Sequence, residues 1–140
     1  MPLVIGGIGA MGSALFMPWV TFVSPVAGVV SRTGMQLHDV RLFAFGLIAL
    51  AVVAWREAHS PSATTRTALL VGLIALGVAG VMEYHDLTQL VAGLNADTAQ
   101  AKLGFGIFAM GVGLMFSLAG VLKRRIALQP IEEEAEQFAA

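Results

Sequence analysis

Apolar residues fill this chain in long blocks, and the ionisable residues mark the block edges. No charged residue occurs from Met1 to Ser31. Leu42–Trp55 is charge-free between Arg41 and Arg56, Thr67–Met82 between Arg66 and Glu83, and Leu103–Leu122 between Lys102 and Lys123. Ionised groups are costly in hydrocarbon and normally bracket a spanning helix, so the blocks predict four spans, at about residues 2–23, 37–56, 66–86 and 100–122. The first should end at Ser24-Pro25, because proline disfavours helix in the residue before it. It lacks the basic start of a cleaved signal peptide, so a retained span is expected.

The middle blocks hold 14 and 16 residues. At 1.5 Å per residue they rise about 21 and 24 Å, short of a hydrocarbon core about 30 Å thick. Both helices must therefore continue into polar sequence. The second extends backwards through Arg41, Asp39 and His38; the third extends forwards through Glu83, Tyr84, His85 and Asp86, or backwards through Arg66. Between the first two spans, Pro25 to Gln36 carries Gly28, Ser31, Thr33 and Gly34 and reads as an extended or hairpin-like loop. Between the last two, Leu87, Leu90, Val91 and Leu94 share one helical face, which predicts a short helix in the outer interface, stopped by Gly93 and Asn95. Asp97 and Gln100 have capping-box spacing for the fourth span. Pro130, Glu132, Glu133, Glu134 and Glu136 predict an acidic, mobile tail over 126–140.

Composition makes the membrane reading firm. Of 140 residues, 57% are hydrophobic and 12% charged, where a soluble domain carries about 25% charged residues. The chain contains no cysteine, which excludes disulfides, thiolate metal sites, thiol redox chemistry and CXXC-attached haem. A formal net charge of -1 gives no reason to expect a nucleic-acid partner. Lys and Arg counts set the orientation: Arg56, Arg66, Lys123, Arg124 and Arg125 lie on one side, and Arg32, Arg41 and Lys102 on the other. The expected fold is thus all-α, an integral membrane antiparallel four-helix bundle with N and C termini cytoplasmic. Trp19, Trp55 and Tyr84 are expected as interface anchors.

Small residues supply the expected packing faces, since they let membrane helices approach closely. Gly6, Ala10 and Ala14 fall at i+4 steps in the first span, Ala75 and Ala79 in the third, and Ala109, Gly113 and Ser117 in the fourth. The 16 glycines exceed what one bundle needs, which points to contacts with a further protein.

One polar constellation follows from the short middle blocks. The expected topology brings His38, Asp39, Arg41, Glu83, His85 and Asp86 to one membrane level. Four readings stay open for them: groups that snorkel to water and pair among themselves, a proton or cation site, a metal site of His38, His85 and a carboxylate, or axial haem ligation by the two histidines. No tight ligand motif favours metal, so neither metal nor cofactor is expected. The Gly-X-Gly runs near Gly104 and Gly111 lack the strand and lysine of a phosphate loop, and no serine has a histidine at a meaningful separation.

Met17-Pro18-Trp19-Val20, the glycine-bearing Ser31-Arg32-Thr33-Gly34 and the Leu103-Gly104-Phe105-Gly106 opening of the last helix resemble a broad group of small bacterial four-helix membrane proteins. The resemblance spans most of residues 10–122 and implies architecture and a bacterial origin, with no activity; the expected location is the bacterial inner membrane. The expected function is a non-catalytic accessory or stabilising subunit, with the lipid bilayer and a larger membrane complex or a homo-oligomer as partners. The alternative is a small homo-oligomeric transporter or channel using the outer carboxylate and histidine cluster. An enzyme acting on lipids or quinones ranks third.

Overall fold

A computed structural model describes residues 1–37, 40–96 and 100–139, with side chains described for all of these except 40, 41, 96 and 125–135. The chain is mostly helical and carries one small sheet. In order it forms helix α1 (Pro2–Ala14), strands β1 (Pro18–Ser24) and β2 (Gly28–Thr33), a single 3-10 turn at Gly34–Gln36, helices α2 (Val40–His59) and α3 (Ala63–Ala96), strand β3 (Gln100–Leu103) and helix α4 (Phe105–Ala139). Three of the helices contain segments long and apolar enough to cross a membrane: Leu42–His59, Ala63–Asn95 and Phe105–Arg124. Pro2–Ala14 is a shorter apolar helix.

The first apolar block is therefore not one helix over 2–23. Pro2 opens α1 at a position where its missing N–H costs nothing. The chain then leaves the helix before Met17-Pro18, and the β-branched and aromatic run from Pro18 to Ser24 becomes a strand. A continuous apolar run cannot distinguish a buried helix from a buried strand, so Pro25 looked like the stop when Pro18 was.

The hairpin-like loop is an actual hairpin. Ser24 pairs with Gly28 across the turn, and the pairing runs through Phe22–Val30 to Val20–Arg32. Ser24 Oγ accepts from the amides of Val26 and Ala27, both at 3.3 Å. Gly28 has φ +70°, a left-handed conformation that suits glycine. On its other side β1 pairs with β3, Val20 opposite Leu103 and Val23 opposite Gln100, giving an antiparallel sheet in the order β2-β1-β3. The sheet thus ties together the two connections at one end of the molecule. Gln100 lies in this strand, so α4 starts at Phe105 instead of near residue 100; Asp97 of the expected capping box lies outside the described residues.

Helix α3 has 34 residues and rises about 51 Å, well beyond the hydrocarbon thickness. The separate interfacial helix expected at Leu87–Leu94 is its last two turns. Leu87 is buried and Val91 packs against the core, because this segment lies beside β3, while Leu90 stays exposed. The helix does end beside Asn95, whose side chain accepts from the Ala101 amide (2.7 Å) and donates to the Ala101 carbonyl (3.2 Å). Helix α4 continues through Ala139 across the stretch expected as a mobile tail.

Helix α1 packs on α4 and α2, and α3 on α2 and α4. The closest approach is between α1 and α4. A Cβ added to Gly113 would stand 2.8 Å from the Gly7 carbonyl oxygen, and Ser117 Oγ donates to the Val4 carbonyl at 3.4 Å. The face that α1 turns to α4 therefore includes Gly7 and Met11, in place of Gly6 and Ala10. Gly6 and Ala10 are exposed and Ala14 is buried. In α4, Gly113 and Ser117 are buried and Ala109 packs at the edge of the core.

Candidate functional site

Of the expected polar constellation, His38 and Asp39 lie outside the described residues, as does the side chain of Arg41, whose backbone belongs to the first turn of α2. Glu83 is half-buried, while His85 and Asp86 are exposed. Glu83 and Asp86 share a groove with Leu42 and Phe43, so the start of α2 does meet this part of α3. Among the described residues no group of three or more His, Cys, Asp or Glu side chains is placed to hold a metal ion.

The aromatic residues divide differently from expectation. Trp19 is 1% exposed and belongs to the core. Its Nε1 donates to the Ala14 carbonyl at 2.8 Å, Phe43 stands edge-on at 6.5 Å, and Gly34, Gly104 and Gly106 all close on its ring or backbone. The Gly104 amide also donates to the Trp19 carbonyl at 2.7 Å. A side chain at the junction of helix and strand is covered by both, which is why Trp19 plugs the sheet end where a lipid-interface anchor was expected. Trp55 and Tyr84 are surface-exposed; Trp55 stacks on His59 at 4.3 Å.

At the opposite end, Glu57 and Arg66, which lie at the edges of two apolar blocks, meet in the structure around one buried carboxylate. Glu57, in the last turn of α2, is 1% exposed. Its Oε1 faces Arg66 Nε at 3.1 Å and Arg124 Nε at 3.7 Å. Its Oε2 accepts from the Ser62 amide at 2.9 Å and from the Thr65 hydroxyl. Ser62 Oγ in turn accepts from the Thr65 amide at 3.1 Å, capping α3. One carboxylate thus joins α2, the start of α3 and α4. A signal was present: a carboxylate near a helix C-terminus opposes the helix dipole, but the same group is favoured at the α3 N-terminus five residues on.

Two larger openings lie between helices. The α2–α3 groove has a volume of about 640 Å³ and is lined by Gly46, Ala49, Ala68, Gly72, Ala75 and Ala79, with Glu83 and Asp86 near one end. Ala75 and Ala79, expected as intramolecular packing residues, face this opening and are exposed. A second cavity of about 210 Å³ lies between α3 and α4. No family model and no curated protein matches this chain.

Proposed function

We propose that this protein is a non-catalytic multi-pass subunit of the bacterial inner membrane, an antiparallel four-helix bundle that receives a helix of a larger complex in its α2–α3 groove. The groove is the observation that carries this reading. Glycines and alanines from two helices line it above buried Phe43, Leu50 and Leu76, and small residues of this kind let a third backbone approach in lipid, where association rests on close packing. Leu42 and Met82 line it as well, large apolar side chains that the chain itself leaves exposed.

The fate of the polar groups supports a structural role. Glu57 and Ser117, the buried polar side chains among the described residues, are both engaged in bonds that hold helices together. Among the described residues no buried side-chain nitrogen or oxygen lacks a partner. The excess of Lys and Arg at the Glu57 end supports placing that end, and both termini, in the cytoplasm.

The chain has no cysteine, so Ala79→Cys gives a single reactive probe in the groove. Crosslinking in native membranes followed by mass spectrometry should give one discrete adduct with a membrane protein, lost when Ala75→Leu fills the groove. A chain that purifies in mild detergent as a monodisperse monomer, with no adduct in membranes, would overturn the reading.

A further inference from the structure

The α3–α4 cavity is separate from the proposed docking groove and has its own logic. It reaches along α3 from Gly77 to Tyr84 and along α4 from Ile107 to Leu114, two helical turns or about 10 Å on each side. Both segments lie inside the helices apolar enough to cross a membrane. Trp19 and Met110 form its inner wall. At about 210 Å³ it exceeds the ~150 Å³ of an apolar cavity that admits a benzene ring and stays dry.

Its mouth is kept open by glycine. A side chain at Gly80 or Gly111 would meet no atom within 4 Å, so close packing does not demand glycine at either position. Neither has the positive φ found at Gly28. Each glycine nonetheless costs a helix about 1 kcal/mol relative to alanine. Their common effect is to leave the outer wall low, between exposed Val81 and exposed Val112. At the sheet end Tyr84 is 43% exposed, and among the described residues its hydroxyl has no hydrogen-bond partner.

We propose that this cavity is a binding site for one acyl chain of a membrane phospholipid, entering sideways between Gly80 and Gly111, with an ester carbonyl accepting from the Tyr84 hydroxyl. An elongated slot parallel to the helices matches a chain lying along the bilayer normal. The lining offers a hydrocarbon chain continuous van der Waals contact and offers water almost no partner. A donor at the end nearest the interface fits the level at which a phospholipid carries its ester groups.

Trp19 makes the proposal measurable, because the chain has two tryptophans and Trp55→Phe leaves Trp19 alone. The variant is reconstituted into phosphatidylcholine vesicles with or without bromine on the acyl chains. Bromine quenches only on near contact, and Trp19 is 1% exposed and lines the cavity. Brominated chains should lower Trp19 emission about twofold or more, as near-full occupancy at lipid far above Kd requires. Adding Gly80→Leu and Gly111→Leu should restore the emission. Equal emission in the two vesicles overturns the proposal, and so does quenching that the filled variant retains. Should the filled variant not fold, the unfilled chain decides alone: bromine close to the ester must quench more than bromine at the methyl end, and a flat or reversed profile overturns the site.

Discussion

The Glu57 carboxylate of α2 and the Arg124 guanidinium of α4 face each other across the end of the molecule remote from the sheet, Oε1 to Nε 3.7 Å, while Arg66 of α3 holds the same oxygen at 3.1 Å. Three helices are therefore fixed in register by one buried acid. Removing one partner of a buried charge pair costs about 3–5 kcal/mol, since it strands the charges left behind. Glu57→Ala should lower thermal stability in detergent by about that amount. Glu57→Gln retains an acceptor for Ser62 and Thr65 and should cost less. Circular dichroism melts of the two variants check the order, and equal melting temperatures would contradict it.

The α1–α4 contact makes a prediction at neighbouring glycines. An added methyl at Gly113 meets the Gly7 carbonyl and Met11 Cγ, each at 2.8 Å, whereas at Gly6 it meets nothing within 4 Å. Gly113→Ala should destabilise by about 1–3 kcal/mol through overpacking. Gly6→Ala should be neutral or gain up to about 1 kcal/mol from helix propensity. Chemical unfolding of both variants in the same micelle measures the difference, and comparable losses would place the contact face wrongly.

Trp19 is predicted to be the main support of the sheet end. Truncating a buried tryptophan costs about 3–5 kcal/mol, so Trp19→Ala should unfold the sheet end first. Trp19→Phe keeps most of the packing and loses the bond to the Ala14 carbonyl, worth about 1 kcal/mol. Proteolysis within the β1–β2 hairpin reads the effect directly: cleavage should accelerate strongly in the alanine variant and slightly in the phenylalanine variant.

Asn95 closes the outer edge of β3 through both main-chain groups of Ala101. Two such bonds contribute about 1 kcal/mol each, so Asn95→Ala should speed exchange of the Ala101 amide by about tenfold or more. Asn95→Asp keeps the acceptor for that amide and should exchange more slowly than the alanine variant. Exchange unchanged by either substitution would show that the edge is protected by other means.

How much of this was legible depends on which signal each feature left. Charge spacing alone located the three helices able to cross a membrane, because the cost of ions in hydrocarbon is written directly into sequence. The hairpin left its mark in Ser24, Pro25 and Gly28. The end of α1 was hidden, because two prolines offered two stops and continuous apolarity does not say whether Pro18–Val23 coils or extends. The face of α1 was hidden for a related reason. Gly6-Gly7 and Gly9-Ala10 put small residues on two sides, and only Gly113 and Ser117 of the neighbouring helix select Gly7.

The sequence by itself determined a membrane chain without thiol chemistry, with its scarce charges gathered at the block ends. Tertiary structure decided what those charges do. Glu57, beside Arg56 at the edge of an apolar block, is the buried node of three helices, and Trp19 became a core plug. Both outcomes depend on which distant segments meet. Burial, unlike periodicity, is a property of neighbours that the local sequence does not contain.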